Sequence, residues 1–318
     1  MDLLDKLNEQ QHLAVTAEPG RTLVLAGPGS GKTRVLTRRV GYLIQYLGKS
    51  PFHILCVTFT NKAAKEMKKR VEAMIGESIR GMWLGTFHSL CARILRREAN
   101  YLPFDNNYVI MDSDDQLTIV KNIIKEENIN DKLYRLYNIH AAISKAKNDL
   151  LAPEDLSIQT HRDRVVQRVY TRYQEILLAS NAVDFDDLLL WTVRLFEDFP
   201  SVKESYSRQF EHVLVDEFQD TNMVQYTLLR QISSYHENLF VVGDEDQSIY
   251  RWRGADYRNI LRFEDDFENA QKILLEENYR STQLILDAAT SVIDQNTNRT
   301  PKDLQAAREK KKKKIILH

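Results

Sequence analysis

Thr22-Leu23-Val24-Leu25-Ala26-Gly27-Pro28-Gly29-Ser30-Gly31-Lys32-Thr33 is the stretch that decides the fold of this chain. An apolar run ends at Ala26 and meets a glycine-rich turn. Beyond it, Leu36, Val40, Leu43, Ile44 and Leu47 recur at helical spacing. A buried strand, a glycine turn and a helix are the setting in which a phosphate-binding loop works. The glycines let backbone N–H groups turn inward around a polyphosphate, and the helix N-terminus adds partial positive charge. In that frame Ala26, Gly27, Pro28, Gly29, Ser30 and Gly31 form the cradle, Lys32 reaches the outer phosphates, and Thr33 holds a magnesium ion. Ala26 stands where the motif usually has glycine. The competing reading is a strand-to-helix turn that binds nothing.

Composition narrows the class. At 318 residues, with 43% hydrophobic and 28% charged side chains, the chain suits two globular domains or one domain with a large insertion. It has no apolar run of the ~20 residues a bilayer crossing needs, and the N-terminus lacks a signal-peptide layout. Cys56 and Cys91 both sit among apolar residues, which favours reduced core thiols and a cytoplasmic location. Net charge is −1 although Lys310 to Lys314 supply five positive charges. Nucleic-acid binding would therefore use a localised groove, with the lysine run a solvated tail or a binding arm.

Further strands are expected at Ile54–Thr60, Trp83–Phe87, His212–Glu217 and Leu239–Asp244, separated by helical segments, which indicates a parallel sheet with crossover helices. Between about Pro103 and Val183 the strand signal fades and glycine is absent. Asp112-Ser113-Asp114-Asp115 reads as a helix cap, and Val165, Val166, Val169, Tyr173, Ile176 and Leu177 share one helical face. This stretch is read as a helical insertion, in which Lys145, Lys147 and Arg162 are either phosphate contacts or solvated charges. A helix is expected from Gln283 to Ile293.

The run His212-Val213-Leu214-Val215 ends in Asp216-Glu217. Ligands of parallel sheets gather at the carboxyl ends of the strands, so this pair is expected on a strand neighbouring the phosphate loop. Asp216 would then help hold Mg²⁺, and Glu217 would orient or deprotonate the attacking water.

Taken together with Leu7-Asn8, Gln11, Ala14-Val15, Thr58–Ala64, Gly85–His88, Val215–Asn222, Gln247–Ala255 and Asn278–Ser281, in that order, the chain resembles the N-terminal part of superfamily 1 DNA helicases of the UvrD/Rep/PcrA type. The resemblance implies a RecA-like α/β motor domain, a parallel sheet with helices on both faces, interrupted by an all-helical subdomain. Its boundaries would be 1–104 and 186–276 for the motor, 105–185 for the insertion, and 277–318 for the opening of a truncated second RecA-like domain. It implies that Gln11 meets the adenine edge, that Arg34 and Tyr279 pack on the base, and that Gln247 and Arg280 contact the γ-phosphate. For Arg280 the alternative is a surface helix-cap arginine. On the DNA side it implies Phe59, Asn61, His88, Tyr250, Trp252 and Arg253 along single-stranded DNA, where aromatic faces stack on bases and donors meet phosphates. Phe87 reads as core, and His88 has a helix cap as its alternative.

The implied activity is ATP- and Mg²⁺-dependent 3′–5′ helicase or translocase action on single strands and single/double-strand junctions, in DNA repair or replication. Partners would be repair or replication proteins and the missing second motor domain, with no membrane. On this expectation the chain alone binds Mg-ATP and single-stranded DNA weakly and unwinds nothing. The alternatives are the motor of a helicase–nuclease and a binding module without turnover.

Overall fold

The structure, a computed structural model, describes residues 3–248, 256, 258–296 and 299–307. Its strands are β1 (Arg21–Ala26), β2 (Ile54–Thr58), β3 (Trp83–Thr86), β4 (Val109–Met111), β5 (Ala182–Asp184), β6 (His212–Val215), β7 (Leu239–Gly243), β8 (Gln271–Leu275), β9 (Glu277–Asn278) and β10 (Gln305–Ala306). The α-helices are α1 (Glu9–Thr16), α2 (Lys32–Gln45), α3 (Asn61–Ile75), α4 (Phe87–Arg97), α5 (Ser113–Glu126), α6 (Leu136–Asn148), α7 (His161–Ala179), α8 (Phe185–Asp198), α9 (Pro200–Gln209), α10 (Met223–Ile232), α11 (Arg258–Leu261), α12 (Phe263–Asp266) and α13 (Gln283–Ile293). None of the described helices is long and apolar enough to cross a membrane.

Two compact units divide the chain: Met1–Thr86, Tyr206–Thr221 and Ile232–His318 form one, Phe87–Ser205 and Asn222–Gln231 the other. The first unit is built on a six-stranded sheet in the order β3-β2-β6-β7-β1-β8. All its pairings are parallel, with Leu23 opposite Val241, and Cys56 opposite Leu214. Strands buried on both faces explain the unbroken apolar runs at Leu23–Ala26, Ile54–Val57 and Val213–Val215. Val35, Leu36, Val40 and Leu43 of α2, with Met67, Val71 and Ile75 of α3, fill the core against the sheet. The order corrects one expectation. The Asp216-Glu217 strand is not next to the phosphate-loop strand, because β7 lies between them and brings its own carboxylate, Asp244, to the same rim.

His212, in β6, shows what burial does to a titratable group. It is 3% exposed, and its Nε2 finds no hydrogen-bond partner among the described residues. Burial, then the nearby Lys49 and Arg39 charges, pushes it down from 6.5 to about 4. The unfolded chain therefore takes up this proton first. Stability from neutral His212 is complete above pH ~6.5 and disappears as pH falls toward ~4, a loss of up to about 3 kcal/mol. Urea titrations across that range should show the slope, and His212→Leu should flatten it. An unchanged slope in the variant would contradict this assignment.

The second unit is helical apart from one short pairing. Val109–Met111 runs parallel to Ala182–Asp184. Three-residue strands carry too little alternation to stand out in a sequence, which is why the stretch reads as wholly helical. Asp112 caps α5 with a reciprocal bond from Asp115, as its sequence signalled. Phe87 is core, at 2% exposed. Lys147 is not a phosphate contact: its side chain is fully buried, with Nζ 2.6 Å from Asp184 Oδ2 and 2.8 Å from Asp187 Oδ1. The Tyr173 hydroxyl donates to Asp184 at 2.9 Å, and the Tyr173 ring lies 4.9 Å from the ammonium. Burial opposes the Lys147 charge, but Asp184 and Asp187 outweigh it and hold the group well above its usual value. Lys147→Met would strand two buried carboxylates, so denaturant unfolding should show a loss of about 3–5 kcal/mol. A loss below ~1 kcal/mol would show that the network contributes little.

Candidate functional site

The loop between β1 and α2 turns on Gly29 (φ +74°) and Gly31 (φ +95°), in the left-handed region that suits glycine. Gly31 caps α2 without any side chain, so the first N–H groups of that helix face the concavity of the loop. The Ser30 hydroxyl donates to the Gly27 carbonyl at 2.7 Å, closing the turn. Lys32 folds back over it, with Nζ 3.4 Å from the Ala26 carbonyl and 3.8 Å from Asp244 Oδ2.

A cleft of about 320 Å³ opens beside this loop on the carboxyl rim of the sheet. Thr33, Phe59, Thr60, Asp216, Glu217 and Gln247 are among the residues lining it, with Asp220 beside them. Thr33, Asp216, Glu217 and Gln247 thus line one cleft. Glu217 has a left-handed backbone (φ 50°, ψ 46°), which turns the chain sharply after the Asp216 strand end. Burial, then the charge of Glu217, pushes Asp216 up to about 7, and the same causes bring Asp220 to about 7. Lys32 acts on both in the opposite direction. Asp220 Oδ1 is buried and finds no hydrogen-bond partner among the described residues.

This acidic cluster fits a divalent cation. Carboxylates short of positive charge are what such an ion relieves, and Mg²⁺ takes one or two carboxylates plus phosphate oxygens and water. Among the described residues no group of three or more His, Cys, Asp or Glu side chains is placed to hold a metal ion by itself, so phosphate oxygens and water would have to complete the coordination.

Several positioning residues went unnoticed in the sequence. Gln219 spans two strand ends: its Nε2 donates to Glu217 Oε2 at 2.8 Å, and its Oε1 accepts the Asp244 N–H at 3.0 Å. Asn278 ties the last motif to the loop. Its Oδ1 accepts from the backbone N–H groups of Arg280 (2.8 Å) and Ser281 (2.7 Å), and its Nδ2 donates to the Pro28 carbonyl. The Tyr279 N–H donates to the Gly29 carbonyl at 3.0 Å. A β-carbon on Gly29 would come within 2.7 Å of Arg280 Cβ, so Arg280 passes directly beside the loop. The signal for Asn278 was present, since an asparagine two and three residues before the amides it caps is a local turn device.

The remaining expected residues divide. Gln11 is fully buried; its Nε2 donates to the Ser30 carbonyl at 2.8 Å and its Oε1 accepts the Asn8 N–H at 3.4 Å. Tyr279 receives a bond from Asn8 Nδ2 (2.9 Å) and donates to Glu277 (2.8 Å), within the electrostatic reach of Arg34. Phe59 is half-buried on the cleft, and Asn61 is exposed at the start of α3. His88 belongs to the second unit, half-buried and edge-on to Phe185 at 5.9 Å, and burial lowers its pKa. Tyr250, Trp252 and Arg253 lie outside the described residues, as does Lys310–His318.

A glycine loop on one strand, and an acidic pair two strands away on the same rim, define a RecA-like phosphate-loop domain. Comparison with known proteins narrows that class: the profile for the UvrD/REP helicase N-terminal domain matches residues 7–268, and the chain belongs to that family. It is 50% identical over 304 residues to the ATP-dependent DNA helicase PcrA of Bacillus subtilis, covering 95% of this chain and 41% of that protein. It is 48% identical over 307 residues to PcrA of Staphylococcus epidermidis, covering 96% and 42%, and 47% over the same span to PcrA of Staphylococcus aureus. The chain spans about two fifths of the length of these relatives.

Asn278→Ala removes the acceptor of two N–H groups and the bond to Pro28. Urea denaturation should report a loss of about 1–3 kcal/mol, with faster amide exchange concentrated at Arg280 and Ser281. Exchange unchanged at those two amides would count against the role assigned to Asn278.

Proposed function

We propose that this chain is the ATP- and single-stranded-DNA-binding part of a 3′–5′ DNA helicase or translocase of repair or replication, acting in the cytoplasm. The observation that carries this is the convergence of Thr33, Asp216, Glu217 and Gln247 on one cleft beside Lys32, in a member of the UvrD/REP family. The backbone of Ala26–Gly31 and the Lys32 ammonium bind the phosphates of ATP. Thr33 and Asp216 hold Mg²⁺, which when bound neutralises charge on the phosphate oxygens.

Glu217 accepts a proton from water as its oxygen bonds to the γ-phosphorus. The bond from that phosphorus to the bridging oxygen breaks, leaving ADP and inorganic phosphate. Gln219 holds the Glu217 carboxylate at 2.8 Å and so sets its direction. Gln247 and Arg280 address the γ-phosphate, Arg280 neutralising charge as the bond breaks. Gln11, Arg34 and Tyr279 surround the base, which requires the Gln11 amide to exchange its bond to Ser30 for the adenine edge.

Phe59, Asn61, His88, Tyr250, Trp252 and Arg253 are assigned to single-stranded DNA and its junctions with duplex, at ~1–3 kcal/mol per stacked base. Residues 105–185 form the inserted subdomain between motor segments 1–104 and 186–276, and residues 277–318 open a second RecA-like domain. Support for the last point is that α13 and the β9–β10 pairing lie outside the six-stranded sheet.

The test is ATPase activity with and without single-stranded DNA. Wild type should be stimulated by DNA, and Lys32→Ala and Glu217→Gln should each lower turnover by at least ~10²-fold while the fold persists. DNA binding without turnover in any of the three chains would replace this reading with that of a binding module.

A further inference from the structure

Lys302 is 6% exposed, and its ammonium enters a run of three successive carboxylates. Nζ lies 2.8 Å from Asp244 Oδ1 and 3.2 Å from Asp246 Oδ2. It is also 3.1 Å from Glu245 Oε2, an ion pair without hydrogen-bond alignment. Arg299 grips both oxygens of Asp246 at 3.0 and 2.9 Å and reaches Asp294 with its other nitrogen, while the Thr300 N–H donates to Glu245 at 2.9 Å. Residues 299–302 therefore clamp the turn that follows β7.

Asp244 is the point where this clamp meets the phosphate loop. It is fully buried, and its two oxygens face different groups. Oδ1 belongs to Lys302, whereas Oδ2 accepts from Gln247 Nε2 at 2.6 Å and faces Lys32 Nζ at 3.8 Å. A buried carboxylate with Lys32 as its sole cation would hold that ammonium strongly. A triphosphate would then have to take Lys32 away and leave an unpaired buried charge. With Lys302 in place, Asp244 stays compensated whether Lys32 is home or gone. Burial opposes the charge on Lys302, but Asp244 and its acidic neighbours overcome it and raise the group, so the ammonium is a permanent cation.

We propose that Lys302 is a positioning residue for nucleotide binding: it is the standing counter-ion of Asp244 that releases Lys32 to the outer phosphates. This rests on the nucleotide-binding reading above. It makes one residue downstream of α13, Lys302, part of what sets ATP affinity, and leaves Arg299, which does not touch Asp244, outside it.

The experiment is equilibrium titration of a fluorescent ATP analogue with Mg²⁺ into wild type, Lys302→Met, Lys302→Met with Asp244→Asn, and Arg299→Gln. Amplitude reports the folded fraction, and Kd reports the competition for Lys32. Lys302→Met should weaken Kd on the order of tenfold, within the usual range of coupling between sites. Neutralising Asp244 in the same chain should return Kd to within about threefold of wild type. Arg299→Gln loses contacts to Asp246 and Asp294 but none to Asp244, and should keep the wild-type Kd. Three results would overturn the proposal: wild-type affinity in Lys302→Met, no recovery in the double variant, or equal weakening by Arg299→Gln, which would mark the clamp as structural only. A wild-type chain that shows no Mg²⁺-dependent binding would remove the nucleotide reading itself, and this inference with it.

Discussion

A carboxylate with no access to water organises the rim of the first unit. Asp244 ends β7, the strand between the phosphate-loop strand and the strand of the acidic pair, and it is 0% exposed. A charge so placed persists only if partners replace the lost hydration. Four of them do so here: Lys302 at 2.8 Å, Gln247 at 2.6 Å, Lys32 at 3.8 Å, and the backbone N–H of Asp246, which donates to Oδ1 at 3.3 Å. Lys32 and Gln247 are also residues expected to serve phosphate. The ligand site and the stability of the strand ends are therefore one electrostatic problem.

The parallel sheet makes this possible. Strands running in one direction bring all their carboxyl ends to one rim, and side chains from distant parts of the sequence meet there. Gln219 connects the ends of β6 and β7, and Asn278 connects the segment after β8 to the loop after β1. The result is a loop with its backbone open and its surroundings braced, while Asp220 keeps one buried oxygen without a partner among the described residues. That is the disposition expected where charge arrives with a ligand.

The second unit solves a similar problem to a different end. Lys147, Asp184, Asp187 and Tyr173 satisfy one another inside a helical core. Their charges are committed to the fold. A lysine in a glycine-free helical stretch looked like a candidate for phosphate, and only its burial shows otherwise. Burial of a long cationic side chain depends on what packs above it, which no local pattern encodes.

By itself the sequence determined five of the six strands of the main sheet and the chemistry expected of their ends, but not β8 or the short β4–β5 pairing. The phosphate loop was legible because strand, glycines, lysine and helix are contiguous, and α13 was legible to the residue because its apolar spacing is local. The acidic pair was legible because it terminates an apolar strand. Strand order, the place of Asp244 between two motifs, and the approach of Lys302 from 58 residues downstream were decided only by tertiary structure. The physical reason is that hydrophobic period and turn chemistry act over a few residues. Which charges share a low-dielectric space is set by the register of strands far apart in the chain.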